Sequence, residues 1–210
     1  GDVYKRQLWY ELAAGAPDQL RQRVAWALAQ LVVVGRAGGI ASHSTERSAH
    51  FHDLLARHAF GDYRALLREV SFSAAMGDYL TFRGNRALSC LGDSPSANPC
   101  GSDPDENYAR ELMQLFSVGP TRLREDGSAV RDAEGRPLDT YTNDDVIDLA
   151  RVFTGLETRP VRGNAERVGS VNYVDPMEVR PHLHDVFPKM GLLPQALSLI
   201  HISEPTRRTP

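Results

Sequence analysis

Polar side chains that could do chemistry are concentrated in residues 104–118, where the sequence predicts a helix. Asn107, Arg110, Glu111 and Gln114 lie three or four positions apart and therefore share one side of that helix. Glu106 precedes Arg110 by four positions and can form an ion pair with it. If this face is buried, every charge on it needs a partner, because an unpaired buried charge is costly.

Such a packed polar network has two interpretations. It could form a ligand or metal site, or it could be structural and tie the helix to Asp145 or His184. Asp145 belongs to the start of a later predicted helix, whereas His184 lies in a Pro-rich segment that predicts loops with short elements. Either contact would therefore join distant parts of the chain.

A second candidate is the segment His182-x-His184-Asp185. In an extended chain, positions 182 and 184 point to the same side, as two metal ligands do. A complete metal site needs three or four ligands, so a carboxylate such as Glu106 or Glu111 would have to supply the rest. The alternative is a local capping or hydrogen-bonding role. Nearby, Lys189 either orients an anion or lies at the surface.

Cys90 and Cys100 lie in a loop rich in Gly, Ser, Pro, Asn and Asp. A disulfide between them would restrict the unfolded loop and stabilise the fold by roughly 3 kcal/mol on the chain-entropy model. It would also indicate an oxidising compartment. The alternative is two free thiols, which alkylation without reductant would detect by mass.

The composition is that of a globular protein with a substantial core, since 41% of the 210 residues are hydrophobic and 24% are charged. The 24 Lys and Arg against 27 Asp and Glu give a formal charge of −3, which argues against nucleic-acid binding through a basic face. No apolar run is long enough to cross a bilayer. The sequence contains no phosphate-binding loop, no dinucleotide-binding glycine motif, no G-x-S-x-G elbow and no HExxH motif.

Helical spacing of apolar residues dominates the chain and predicts a mainly α fold, an irregular multi-helix domain. The first predicted helix begins near Pro17 and directs Leu20, Val24, Leu28 and Leu31 toward the core. Further helix starts are predicted at Ser44 or Thr45, Asp62, Ser73, Asp103 and Thr142.

Two of these helix starts have specific capping patterns. Asp103 is a suitable N-cap with Pro104 at N1 and Glu106 at N3, and Thr142 with Asp145 forms a second capping box. Between these helices, the turn pairs Asp-Gly at 126–127 and Glu-Gly at 134–135 separate short apolar stretches. They predict a small β-hairpin excursion near residues 121–141.

Three segments follow one another in the order of one known family. They are residues 105–116 (DENYARELMQLF), 141–146 (YTNDDV) and 150–155 (ARVFTG), and shorter matches at 21–25, 54–64, 75–80 and 184–189 keep the same order. The chain resembles the bacterial domain of unknown function 1800 from about Pro17 to Leu193. Ala74 departs from the pattern, since the family usually has proline there.

The resemblance implies a setting more than an activity, because the family has no established activity. Members resemble exported bacterial proteins, often encoded beside a sulfatase-like partner family, which implies a periplasmic or secreted location. Members also continue well past the matched region, so the C-terminal half of the domain is expected to be missing here.

Two hypotheses for function follow. The first is a non-catalytic envelope or secreted module that binds a partner or a polymer, since no catalytic motif is present. The second is a hydrolase-type enzyme whose site uses Glu106, Glu111, His184 and Asp185, with a divalent metal as an optional cofactor and with residues from the missing half. Convergence of these carboxylates with His184 would favour the enzyme, and a scattered arrangement would favour the module.

Both ends of the chain are interpreted as translated adapter DNA. Residues 1–7 can be encoded by GGA GAT GTG TAT AAG AGA CAG, and the reverse complement of this string translates to Leu-Ser-Leu-Ile-His-Ile-Ser, the residues at 197–203. The string resembles the transposase end of a common sequencing-library adapter, whose continuation matches residues 204–207. Residues 1–7 and 197–210 are therefore excluded from fold reasoning, and residues 8–196 are expected to be a partial helical domain from a metagenomic fragment.

We expect the parent DNA to contain adapter sequence, in opposite orientations, immediately outside the codons for residues 8–196. Sequencing a longer contig checks this expectation. Genomic coding sequence that runs unbroken through both ends would contradict it.

Overall fold

A computed structural model describes residues 2–35, 45–88, 103–162, 171–190 and 196–197 of the chain. Cys90 and Cys100 lie outside these ranges, and so does most of the C-terminal segment interpreted as adapter-derived. Their disulfide and the origin of that segment therefore stay predictions.

The described part of the chain is mainly helical, which confirms the predicted fold class. The helices are α1 (Asp2–Gly15), α2 (Gln19–Leu31), α3 (Thr45–Arg57), α4 (Tyr63–Ser71), α5 (Ala74–Tyr79), α6 (Asn107–Gln114) and α7 (Asn143–Val152). Four two-residue strands follow: β1 (Leu156–Glu157), β2 (Glu178–Val179), β3 (Lys189–Met190) and β4 (Ala196–Leu197). β1 pairs with β2, and β3 pairs with β4 in antiparallel register. Within these ranges, none of the helices is both long and apolar enough to cross a membrane.

The chain divides into two compact units, residues 1–79 with 158–178 and residues 80–157 with 179–210. In the first unit, α3 buries Phe51, Leu54 and Leu55, which helical spacing places on one face. Asp62 caps α4, because its carboxylate accepts a hydrogen bond from the Ala65 backbone N–H at 2.8 Å. This cap confirms the helix start predicted at that position.

The face of α2 predicted to be buried is only partly so: the prediction is wrong for Leu20 and Leu31, whereas Val24 and Leu28 are half-buried. Leu20 is 67% exposed and Leu31 is 46% exposed, whereas the fully buried positions are Ala25 on the helix and Val32 just after it. Ala25 and Val32 are seven residues apart, so they lie on one side of the helix. Because this narrow side packs inward, Leu20, Trp26 and Leu31 of α2 are exposed to solvent.

Three packed aromatic rings form the centre of the second unit. Phe82 stacks on Tyr108 with ring centroids 4.2 Å apart, and Phe153 contacts both rings edge-on. All three side chains are buried. Alongside them, α6 and α7 pack through a small apolar cluster made of Ala109, Met113, Val146 and Ala150. Aromatic contacts of this geometry add to the stabilisation from burial alone.

The predicted start of α6 is wrong by several residues. Residues 103–106 are not helical, and α6 begins at Asn107. The reason is a local hydrogen bond, because the Asp105 carboxylate accepts from the Asn107 N–H at 2.8 Å. Short acidic side chains often compete with helical hydrogen bonds in this way. Asp105 also accepts from the Thr81 hydroxyl at 2.9 Å, and this bond joins the two segments.

The β excursion at 121–141 is confirmed as a set of isolated antiparallel bridges, which are Thr121 with Asp139, Leu123 with Ala129 and Arg131 with Pro137. Gly127 and Gly135 occupy the two predicted turns, each with a φ of +80°. This left-handed conformation is available to glycine at little cost.

The capping box at the start of α7 is also confirmed, and it predicts a measurable loss. Thr142 accepts a hydrogen bond from the Asp145 N–H, and the Asp145 carboxylate accepts from the Thr142 N–H at 2.7 Å. We expect Thr142→Ala to lower the free energy of unfolding by about 1 kcal/mol. Urea unfolding measures it, with Thr142→Ser as the control that keeps the hydroxyl. Equal stability of Thr142→Ala and wild type would contradict the prediction.

Candidate functional site

The polar face of α6 forms its contacts at the beginning of α7. Arg110 donates to the Glu106 carboxylate at 2.5 Å and to the Asn143 side-chain oxygen at 2.7 Å. Asn143 is the first residue of α7. The contact therefore ties α6 to α7 two residues from Asp145, which itself serves the capping box. About half of the Arg110 side chain stays exposed, so this link is a surface pair of modest strength.

The remaining candidates on α6 have separate surroundings. Gln114 is exposed, and Asn107 donates to the Thr81 hydroxyl at 3.2 Å. Glu111 differs, because its Oε2 atom is buried and has no hydrogen-bond partner among the described residues. An unsatisfied buried polar atom is uncommon and calls for an explanation.

Asp185 is the centre of a buried ionic network in the second unit. Arg151 donates to both carboxylate oxygens of Asp185, from Nε at 2.9 Å and from Nη2 at 3.2 Å. The Phe187 N–H also donates to this carboxylate, at 2.9 Å. Asp148 accepts from the other end of the guanidinium at 2.5 Å. Burial alone would raise the pKa of Asp185, but these donors hold it below its ordinary value.

Lys189 completes the network and is 3% exposed. The interpretation that Lys189 lies at the surface is therefore wrong. Its ammonium group lies 3.2 Å from the Asp185 carboxylate and donates to the Asp185 backbone oxygen. Burial lowers the pKa of Lys189, while the contact with Asp185 opposes that shift. The side chain thus balances the buried carboxylate, and no bound anion is needed to balance its charge.

Next to Asp185, the His184 ring is oriented by the backbone at the end of α7. Its Nδ1 lies 2.8 Å from the Thr154 carbonyl oxygen, which can only accept, so Nδ1 carries the proton. Burial lowers the pKa of His184, so the neutral ring with its lone pair on Nε2 predominates at neutral pH. The Thr154 hydroxyl accepts from the Asp185 N–H at 2.9 Å, which fixes the neighbouring residue as well.

Gly155 is required by this close packing. A Cβ atom there would lie 2.9 Å from both the His184 backbone nitrogen and the Arg180 carbonyl oxygen, and the φ of Gly155 is +76°. Any other residue would have to push the segment around His184 away from α7.

His182 and His184, the two candidate metal ligands, do not form part of a metal site among the described residues. His182 lies in a turn and is exposed, whereas His184 is partly buried against Thr154. Across the described ranges, no group of three His, Cys, Asp or Glu side chains is close enough to hold a metal ion. His184 could offer one ligand through Nε2, but Asp185 is already occupied by its donors.

The candidates fall into two groups at opposite ends of α7. Arg110, which is paired with Glu106, contacts Asn143 at its start, and Asp185 contacts Arg151 in its last turn. Eight residues of helix separate these anchors by about 12 Å. Glu106 is thus held away from the Asp185 network by its contact with Arg110.

The matched family agrees with the sequence motifs. A family model described as protein of unknown function (DUF1800) matches residues 4–195. The chain belongs to this family. Comparisons with curated proteins and with solved structures gave no match. In this DUF1800 member, the A-R-x-x-T-G and H-D motifs meet in space, since Arg151 and Thr154 contact Asp185.

Residue-by-residue reasoning missed Arg151, Asp148 and Thr154 as members of the network. One signal was present, because Asp148 and Arg151 lie three residues apart on α7 and can pair. In the first unit it also missed the buried Arg47, whose guanidinium lies over the Tyr173 ring. No local spacing identifies that contact, because the two residues are far apart in sequence.

The network predicts a pH-dependent loss of stability in Asp185→Asn. Removal of the carboxylate leaves Lys189 buried without its anion, so we expect the free energy of unfolding at pH 7 to fall by about 3 kcal/mol. The lowered pKa of Asp185 gives stability that is present above about pH 4, the ordinary value, and is lost as pH falls through the folded value. The difference between wild type and variant should therefore narrow below pH 4.

Urea unfolding at pH 7, 5 and 3 measures this difference. Asp144→Asn, an exposed carboxylate on α7, is the matched control and should change stability by about 0.5 kcal/mol at most. A cost of Asp185→Asn that does not depend on pH would contradict an electrostatic role.

Proposed function

We propose that this DUF1800 chain is part of a non-catalytic module that binds a partner protein. The observation that carries the proposal is that two candidate catalytic side chains are already paired with other residues of the chain. Glu106 and Asp185 are paired at opposite ends of α7, and Asp185 accepts hydrogen bonds that occupy both of its oxygens. A general base or nucleophile needs a free lone pair near a substrate, which Asp185 does not offer.

The same network presents an apolar surface. Val186 is 65% exposed and Phe187 is 55% exposed, directly after the buried Asp185. The Phe187 N–H is held by the Asp185 carboxylate, and Lys189 is held two residues later. An exposed aromatic on a firmly anchored segment is typical of a binding hot spot, since little conformational entropy is lost on binding. An apolar contact of this type favours a protein partner over a polar polymer.

The family resemblance supports a particular setting for this module. It favours an exported bacterial protein, in the periplasm or secreted, with a sulfatase-like protein as the partner. In the same setting, a polymer of the cell envelope is the second candidate for the bound partner.

A hydrolase is the alternative function, and one observation favours it. The buried Oε2 of Glu111 lacks a hydrogen-bond partner within the described ranges, and the Nε2 lone pair of neutral His184 could accept a proton. A segment outside this chain could bring a substrate or a metal to either group. In that case Glu111 and His184 would be the residues that carry activity.

Binding to a sulfatase-like protein encoded beside a family member tests the proposal. We expect the two proteins to form a complex by calorimetry, and Phe187→Ala to weaken it at least tenfold because an exposed anchor is lost. The free energy of unfolding of Phe187→Ala should stay within about 0.5 kcal/mol of wild type, since surface substitutions usually have small effects.

Leu123→Ala is the matched control, because Leu123 is 57% exposed in the same unit but lies in the β excursion. It should bind as wild type does. Unchanged binding by Phe187→Ala would contradict the assigned surface. Hydrolysis of chromogenic sulfate, phosphate or ester substrates that is lost in Glu111→Gln would instead support the enzyme.

A further inference from the structure

A pocket of about 160 Å³ lies within the first unit, among α1, α2 and α3. Its lining consists of Leu12, Ala13, Gln22, Arg23, Trp26 and His52. Trp26 is 49% exposed, so the pocket has an aromatic wall that a ligand can reach from solvent. None of these residues takes part in the Asp185 network, so a ligand here goes beyond the proposed function.

The size of the pocket limits the ligand. Cavities of about 150 Å³ hold a single benzene-sized ring. Leu12 and Ala13 supply an apolar wall, and Trp26 supplies a planar aromatic surface. Aromatic rings prefer to meet such a surface in offset or edge-on contact. One six-membered ring therefore fits the pocket.

Two of the polar lining residues, Gln22 and His52, are already paired. His52 Nε2 lies 3.0 Å from Gln22 Oε1, and Gln22 Nε2 donates to the Asp18 carboxylate at 3.2 Å. Because the Gln22 oxygen can only accept, His52 Nε2 carries a proton and donates it there. This chain of hydrogen bonds leaves few partners for the hydroxyls of a sugar ring, which would lose their bonds to water. The ring is therefore aromatic rather than a pyranose.

Arg23 sets the charge of the ligand. It is exposed at the pocket, and no carboxylate pairs with it among the described residues. A guanidinium prefers a planar anion that accepts two parallel hydrogen bonds, and a carboxylate has that shape. From the ring-sized pocket and the cation beside it, we propose that this site binds a small aryl carboxylate.

Calorimetry on the full 210-residue chain tests the site with three probes: 3-phenylpropionate, its neutral amide and methyl glucuronide. We expect the aryl acid to bind, the amide to bind about threefold more weakly and the glucuronide not to bind. The charge effect is modest because Arg23 is exposed and its attraction is screened by water and salt. Equal binding of acid and amide, or preferred binding of the glucuronide, would overturn the proposal.

Variants locate the site. We expect Trp26→Ala to weaken binding of 3-phenylpropionate at least tenfold and Arg23→Gln to reduce it to the level of the amide. Ala13→Leu fills the pocket and should abolish binding. Arg64→Gln is the matched control, since Arg64 is an exposed arginine of the same unit outside the pocket.

Circular dichroism of each variant verifies the fold. If Trp26→Ala unfolds the chain, Ala13→Leu and Arg23→Gln still decide the question. Wild-type binding in Ala13→Leu would place the ligand elsewhere and overturn the proposal, whatever the outcome of partner binding through Phe187.

Discussion

The buried carboxylate of Asp185 is the constraint on which the second unit depends. A carboxylate at 5% exposure is tolerated only if donors replace the water that it loses. Arg151, Lys189 and the Phe187 N–H together supply them. Because Arg151 belongs to α7 and Lys189 to β3, this one group joins a helix to a segment more than thirty residues later. The position of that segment therefore follows from charge pairing more than from regular secondary structure.

This arrangement gives the residues of the A-R-x-x-T-G and H-D motifs a structural role. Buried ion pairs contribute little net stability compared with apolar packing, but breaking one is expensive. They therefore specify a unique arrangement more than they strengthen it. In this chain, Thr154 and Gly155 add to that specification, one by a hydrogen bond to the Asp185 N–H and the other by leaving room for His184. The result is a firmly anchored loop made of residues that resemble a catalytic set.

Local features of the fold could be predicted from sequence because their causes are local. The capping box of Thr142, the cap of Asp62 and the glycine turns at 127 and 135 depend on residues within a few positions of each other. The start of α6 could not be predicted, because Asp103 and Asp105 both suit a cap and the contact of Asp105 with Thr81 is distant in sequence.

The prediction of which side of α2 is buried was wrong at Leu20 and Leu31 for a related reason. Its apolar residues fit a helix well, but which side packs inward is decided by neighbouring helices, and the narrow side with Ala25 is the buried one. In the candidate site, too, local pairs could be predicted and tertiary contacts could not. The helical spacing that groups Glu106 with Arg110 was correct, while the partners of Asp185 and the burial of Lys189 depend on tertiary contacts.

Each unit, taken by itself, exposes one aromatic side chain next to polar groups that are already paired. Phe187 follows the satisfied carboxylate of Asp185, and Trp26 lies beside the satisfied pair of Gln22 and His52. A catalytic site, in contrast, keeps polar groups available for a substrate. Satisfied polar groups fix the position of an exposed ring without competing for the ligand. Both surfaces therefore agree with the two binding roles that we propose.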